Sequence, residues 1–539
     1  MNLRQRIQAV LPPVVPTLGL LSIITGILYV LLQNAWVSDD AFITLRTVSN
    51  AWNGYGLTWN TFERVQAYTH PLWMFLLLGA HAITGEYFYT TIGVSLLCSL
   101  FALSLLLRNA FRSSGLPGCL FITALIVTSK ALIDYTSSGL ENPLVFLLIA
   151  FCWNEAVRPK IRLDRLVVIG SLLYVTRPDS ILLVAPLIGL TLWKHRQNNL
   201  SGITRAILIG SLPALAWTGF SLVYYGFPFP NTAYAKLGTG IDRMSLIQQG
   251  GAYLWNSLVW DPLTIPVIAL AAVAGAAFGH WRERAVAAGV FLYLLYTVSV
   301  GGDFMSGRFL AAPFFTALIL IAARLPSYRP ILASSAALLV LILGATIHPR
   351  VPWRTDGEYK SLGLDRTRIA DERGHYFDHL GFSNYLRRDR TIRQGTRIMH
   401  RAYQAGLRAR IERRKVARRE AIGMYGFAAG PSVRVIDTYA LSDPLLARLP
   451  AVNRTRWRIG HFTRRVPPGY DQSVMTGENL IENPDLREFY GKLKIITQGP
   501  IWSWERFKTI AFINTGRYSA LLDSYNEEST SNSVPAPST

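Results

Sequence analysis

PVVPTLGLLSIITGILYVLL, residues 13–32, followed closely by Ser38-Asp39-Asp40-Ala41-Phe42, is the stretch that decides how this chain is built. Twenty residues almost free of polar side chains match the roughly 20 that a helix needs to cross a bilayer core. Two adjacent carboxylates then stand where the span ends. They repel each other and gain nothing from lipid, which points to chemistry or cation binding; a solvated acidic cap on a loop is the alternative.

Working outward, the same apolar pattern recurs. Runs cover about 71–84, 90–107, 118–133, 139–156, 165–176, 179–194, 204–225, 262–279, 285–300, 308–324 and 329–347. The expectation is a polytopic α-helical membrane protein with about 10–13 spans over residues 1–347. External loops are expected near 35–70 and 226–261. If 71–84, 90–107 and 118–133 all cross fully, Glu141 falls on the opposite face from Asp39 and Asp40, so one of them is expected to be partial or re-entrant. The first span lacks a small-residue cleavage site and does not read as a signal peptide. The basic start, Met1 to Arg6, belongs in the cytoplasm by the positive-inside tendency, which delivers Asp39–Asp40 to the outer face. From His348 the composition becomes that of a soluble domain, expected over 348–523 as mixed α/β. Within it, 365–420 reads as helical and Val433-Arg434-Val435-Ile436-Asp437 as a buried strand. The Ser/Asn/Pro-rich segment 524–539 reads as disordered.

Composition narrows the function. The chain has 539 residues, half of them hydrophobic, and a mean hydropathy of +0.26. Its three cysteines lie in or beside apolar runs, and no CxxC or HExxH occurs, which removes a disulfide framework and a structural zinc site. The net charge of +21 comes largely from the C-terminal third, with Arg387, Arg388, Arg390, Arg413, Arg414, Lys415, Arg418 and Arg419 close together. These suit a solvated helix face or anionic lipid headgroups. Few aromatics accompany them, so no nucleic-acid partner is expected.

Five polar stretches interrupt apolar sequence. Asp39-Asp40, with Arg46, opens the first loop. A carboxylate there can take a hydroxyl proton or stabilise a glycosyl cation, while its neighbour raises its pKa or helps hold a divalent ion. Glu141, in Ser-Gly-Leu-Glu-Asn-Pro, is either a site acid or a helix N-terminal acid favoured by the dipole. Arg177, in Thr-Arg-Pro-Asp, offers a donor fork that suits phosphate, or closes a turn with Asp179. Gly301-Gly302-Asp303-Phe304-Met305, followed by Arg308, is either a sugar- and phosphate-binding loop or a plain interhelical turn. Asn231-Thr232 and Lys236, after Phe-Pro-Phe-Pro, add a cation. Together they set acids and cations at span ends, as a lipid-tailed phosphosugar requires.

The ordered set Ser-Asp-Asp-Ala-Phe-Ile-Thr-Leu-Arg (38–46), Gly-Tyr-Gly-Leu-Thr-Trp-Asn (54–60), Glu63 to Trp73, Gly-Leu-Glu-Asn-Pro-Leu, Thr-Arg-Pro-Asp and Gly-Gly-Asp-Phe-Met resembles the GT-C glycosyltransferases. More closely it resembles the mycobacterial terminal arabinofuranosyltransferases and the bacterial pilin arabinofuranosyltransferases. Ile436-Asp437, Leu441 to Arg448, Gly460-His461 and Val466-Pro467-Pro468 extend the likeness into the C-terminal part, so most of residues 35–470 is covered. The family's usual glycine in Gly-Leu-x-Asp-Pro is Ala440 here, and the C-terminal part is short for a cell-wall enzyme. The resemblance implies a GT-C fold, a polyprenyl-phosphate arabinofuranose donor, and transfer at the periplasmic face of a bacterial inner membrane. It implies Asp40 and Asp39 as catalytic and Arg177 and Arg308 as donor-phosphate ligands. The residues themselves add the expectation of a Mg, Mn or Ca ion at Asp39 and Asp40, and Asp303, Glu141, Lys236, Asn231 and His70 as further candidates for the donor phosphate and sugar. The acceptor would be a pilin, another glycoprotein or an envelope glycan. A lipid-linked sugar transporter, with charges lining a path, and a membrane-anchored polymer-binding protein are the competing readings.

Overall fold

The structure is a computed structural model. It describes residues 14–197, 200–325, 330–348, 350–354, 367–391, 398–452, 454 and 457–531. The basic start, Met1 to Arg6, and the end of the expected disordered segment, 532–539, lie outside them. The helix Ser519–Ser531 takes in the first part of that segment, which differs from the expectation.

The chain is a polytopic helical membrane protein. Among the described residues, Thr17–Asn34, Phe88–Thr128 and Leu200–Tyr224 are long and apolar enough to cross a membrane. Arg243–Trp260 and Thr264–Phe278 pass together as a pair bent by 110°. The helix Arg243–Trp260 therefore occupies much of what sequence assigned to a turn-rich loop at 226–261. The expected apolar runs do form helices, but several are short. Pro71–Thr84 has 14 residues and Asn142–Ala156 has 15. At about 1.5 Å per residue, 14 residues reach about 21 Å against a core of about 30 Å. Fewer crossings than 10–13 thus satisfy length and composition. The runs 90–107 and 118–133 become two limbs around a break at Gly115, φ 65° and ψ −155°. Cys119 Sγ lies 3.4 Å from the Leu107 carbonyl, whereas 12 residues of straight helix would span about 18 Å. The chain reverses there, at Gly-Leu-Pro, as a positive φ followed by proline favours.

Two compact units emerge, each discontinuous in sequence. One comprises 1–38, 88–211 and 246–395; the other comprises 39–87, 212–245 and 396–539. The single boundary expected at 347/348 is not where the chain divides. Segment 367–391 is stitched to the apolar unit. Phe382 N–H donates to the Ala35 carbonyl (2.8 Å), Val37 N–H to Leu380 (3.2 Å) and Ala370 N–H to Phe304 (2.8 Å). Arg373 Nε reaches the Asn34 carbonyl at 3.1 Å.

In the other unit the first loop folds with the C-terminal part. Ile43 and Trp59 bury against Ile422, Tyr425, Val433 and Val435. Strands Val416–Arg419 and Arg434–Asp437 pair in parallel, Ala417 opposite Val435. This places the expected strand at 433–437 correctly. Its Val435 and Ile436 are only 1% exposed, as a strand covered on both faces requires.

Candidate active site

Asp39 and Asp40 begin the helix Asp39–Trp52. Acids there suit the positive end of the helix dipole. Adjacent positions on a helix lie about 100° apart, so the two carboxylates serve different faces. Positions 43 and 46 follow the Asp39 face; position 44 follows the Asp40 face.

The Asp39 face is tied to the C-terminal segment of the same unit. Oδ1 of Asp39 accepts from Met424 N–H at 2.8 Å, and Oδ2 from Gly423 N–H at 3.3 Å. These are the opening N–H groups of the short helix Gly423–Ala429. Arg46, 1% exposed, donates to the carbonyls of Trp59 (2.8 Å), Gly426 (2.8 Å) and Val433 (3.0 Å). Its guanidinium lies 4.2 Å from the Trp59 ring. A Cβ on Gly423 would overlap the Asp39 carbonyl oxygen, so only glycine allows this approach. Burial pushes the Asp39 carboxyl up to about 6; neighbouring Asp40 adds to the rise and the two N–H donors oppose it. Both oxygens of Asp39 therefore serve as acceptors that fix the loop.

Asp40 is half-buried. One turn on, Thr44 Oγ1 lies 2.7 Å from His70 Nε2, and Thr69 Oγ1 lies 3.3 Å from His70 Nδ1. His70 is thus held on the side of the helix that carries Asp40. Among the described residues no three His, Cys, Asp or Glu side chains converge to hold a metal ion.

Three further carboxylates are buried in this unit. Asp437 accepts from Tyr439 N–H and Ser442 N–H, both at 2.9 Å, and burial raises it to about 7. Asp443 accepts from Leu446 N–H (2.8 Å) and Tyr470 OH (2.9 Å), and burial raises it to about 6. Glu63 is raised to about 8, by burial first and then by Asp443, against a hydrogen bond from Asn60. The first two hold the turn 437–446, in which Ala440 takes φ 63°. Asn231 completes that turn. Its amide nitrogen donates to the carbonyls of Ala440 (2.9 Å) and Asp443 (3.0 Å), and its oxygen accepts from Arg448. This corrects its expected place among donor ligands, because both ends of the amide are committed to the loop. Lys236 is exposed near the end of the helix Asn231–Leu237. Its charge helps to hold the half-buried His461 down at about 3, after desolvation and Arg458.

In the other unit, four helix ends bring the remaining candidates together. Glu141 precedes the helix Asn142–Ala156, and Arg177 ends Leu163–Thr176. Asp303 lies on the turn after Trp281–Ser299, and Arg308 opens Arg308–Arg324. Glu141 Oε1 accepts from Arg177 Nη1 (2.9 Å) and Arg308 Nη2 (3.3 Å). Arg308 Nη1 stands 3.4 Å from Asp303 Oδ2. Arg177 Nε is 3.0 Å from both oxygens of Asp179, and the Phe309 ring lies 4.6 Å from its guanidinium. The turn reading of Arg177 holds, and the same guanidinium also reaches Glu141. Tyr293 OH donates to Asp179 at 3.0 Å, which adds it to the cluster. Asp179 was legible in Thr-Arg-Pro-Asp; Tyr293 carried no signal. Two arginines against three carboxylates leave the cluster formally at −1. A second buried network also escaped the sequence reading. Lys130 pairs with Asp134 and with Asp371 (3.0 Å), and Asp371 pairs with Arg350.

No family model matches the chain. The chain is similar to terminal arabinofuranosyltransferases. It is 28% identical over 417 residues to the terminal beta-(1->2)-arabinofuranosyltransferase of Mycobacterium tuberculosis, covering 66% of this chain and 64% of that protein. It is 25% identical over 410 residues to the enzyme of the same name from Corynebacterium glutamicum, covering 64% of this chain and 55% of that protein. The chain spans less than two thirds of the length of either. Among solved structures, ArnT from Cupriavidus metallidurans, bound to undecaprenyl phosphate, aligns with a TM-score of 0.46 at 10% identity, over 79% of this chain and 86% of that one. Its apo form aligns at 0.45 and 12%.

Proposed function

We propose that this chain is a membrane glycosyltransferase that moves D-arabinofuranose from a polyprenyl-phosphate donor to an acceptor hydroxyl on the periplasmic side of a bacterial inner membrane. One observation carries the reading: in the acidic pair, Asp39 is held by backbone N–H groups while Asp40 stands on another face of its helix, beside Thr44 and His70. The similarity to arabinofuranosyltransferases supports the sugar.

In this reading Asp40 accepts the proton of the acceptor hydroxyl as that oxygen attacks the anomeric carbon. The bond from the anomeric carbon to the phosphate oxygen breaks, and polyprenyl phosphate leaves with the electron pair. Arg177 and Arg308 are the phosphate ligands, because guanidinium forks match phosphate oxygens. Glu141, Asp179 and Asp303 hold those forks until the donor arrives. Asp39 is a positioning residue. The acceptor is a pilin, another glycoprotein or an envelope glycan.

The test is incubation of the purified protein with polyprenyl-phosphate arabinose and a panel of acceptors. Free polyprenyl phosphate released in step with sugar transfer supports the proposal. Movement of intact donor across vesicles without hydrolysis replaces it with a transporter. Turnover with a nucleotide-arabinose in a lipid-free preparation removes the polyprenyl donor. A reporter fused after Ser529 that is active only in the cytoplasm removes the periplasmic placement.

A further inference from the structure

Trp502 and Trp504 are 81% and 82% exposed. An aromatic side chain of this size offers about 150–250 Å² for burial, so two left bare where a turn enters a helix are unusual in a water-facing surface. The loop is nevertheless firmly fixed. Arg506 is fully buried and donates to the carbonyls of Ile496 (2.7 Å) and Ile501 (3.2 Å), both just before Trp502. The same guanidinium donates to Val223 (2.7 Å) and Tyr224 (3.0 Å). Arg64 adds a bond to the Tyr224 carbonyl at 3.2 Å.

Val223 and Tyr224 are the last residues of the apolar helix Leu200–Tyr224. Their carbonyls have no partner within the helix, and the guanidinium groups satisfy them. The two tryptophans are therefore tied, through one buried arginine, to the end of a helix long enough to cross a membrane. That level is where hydrocarbon gives way to headgroups, the position aromatic belts occupy. Other features of that end agree. Phe220 stacks on Tyr224 at 5.1 Å. The Leu57 N–H donates to Tyr224 OH at 3.2 Å, and nearby Tyr55 is exposed. Lys508 and Arg517 follow on the same segment, as basic side chains near lipid phosphates would.

We propose that Trp502 and Trp504 insert into the headgroup layer of the bilayer crossed by Leu200–Tyr224, docking the helices Pro484–Gln498 and Trp504–Asn514 on the membrane surface. This does not depend on the catalytic reading. The test uses full-length protein in vesicles of three parts phosphatidylcholine to one part phosphatidylglycerol. Trp502→Cys, in a Cys98→Ser background with Cys119 and Cys152 buried, is labelled with an environment-sensitive fluorophore. The expected result is blue-shifted emission, quenched most by a headgroup spin label and little by iodide. Strong iodide quenching without a spin-label effect would mean a water-facing platform and would overturn the proposal. So would strongest quenching by a mid-chain label, or self-quenching that rises with protein density, which would indicate a second copy. In a parallel measurement, the Trp502→Ser/Trp504→Ser variant should lose protection of the 499–517 segment from trypsin in vesicles but not in detergent. Equal protection in both proteins would count against insertion.

Discussion

Replacing each member of the acidic pair by asparagine should separate structure from chemistry. Burial lifts the Asp39 carboxyl to about 6, above the ordinary carboxylate value of 3.8. A raised folded pKa means the folded state prefers the protonated form. That stabilisation is complete below the unfolded pKa and is lost as pH rises through about 6. For one such site the linkage amounts to about 1.4 kcal/mol between pH 7 and pH 5. At neutral pH the buried charge costs up to about 3 kcal/mol, at about 1.4 per pKa unit. Asp39→Asn removes that cost, but it turns an amide NH2 toward Gly423 N–H, and an unsatisfied buried donor costs about 1–3 kcal/mol. The two effects nearly cancel, so stability at pH 7 should change little. The wild-type gain on acidification should shrink by about 1.4 kcal/mol, and some transfer should survive. Asp40→Asn removes the smaller, Asp40 share of the Asp39 rise, so it should shift the melting profile only slightly, while lowering single-turnover transfer by about 10²–10⁴-fold. The assay is thermal unfolding of wild type and both variants at pH 7 and pH 5 in one detergent, beside single-turnover kinetics with donor binding checked. Glu63, Asp437 and Asp443 add their own pH dependence, so only the difference from wild type counts. Identical pH dependence in wild type and Asp39→Asn, or near-wild-type transfer by Asp40→Asn, would refute the reasoning.

Arg177→Lys keeps the charge but cannot serve Asp179 and Glu141 together. It should weaken donor binding by tenfold or more, a loss of about 1.5–3 kcal/mol for one charged hydrogen bond, read by equilibrium binding of polyprenyl phosphate. Gly423→Ala forces a methyl into the Asp39 backbone and should destabilise by about 1–3 kcal/mol or more while lowering transfer; wild-type melting would remove the close approach. At Ala440, where φ is 63°, glycine should be tolerated within about 1 kcal/mol, since strain relief offsets the lost methyl and the looser unfolded chain. A β-branched valine there should cost more than about 2 kcal/mol in a denaturant titration. Chelation by EDTA tests the expected divalent ion: unchanged transfer removes it, and a loss restored by added Mg or Mn assigns it to the acidic pair.

Apolar periodicity alone determined that this is a helical membrane chain. Helix formation in an apolar run depends on local side chains and on a backbone that must satisfy itself, so nearly every run became a helix. The strand at 433–437 was legible for the same reason: a short β-branched run buried on both sides. Motif chemistry brought Glu141, Arg177, Asp303 and Arg308 to attention, and they do meet, because each sits where a helix ends. Sequence could not divide the chain. The first loop joins residues 396–539 through hydrogen bonds between positions 384 and 385 residues apart, and no local pattern encodes such a partner. It could not tell Asp39 from Asp40 either, since that depends on which face of the helix meets Gly423. Nor could it see that Asn231 is consumed by the turn at Ala440, or that Tyr293 supports Asp179. Local composition sets which segments become helices. Which polar groups become scaffold and which remain for chemistry is set by long-range burial, where every buried donor and acceptor must find a partner.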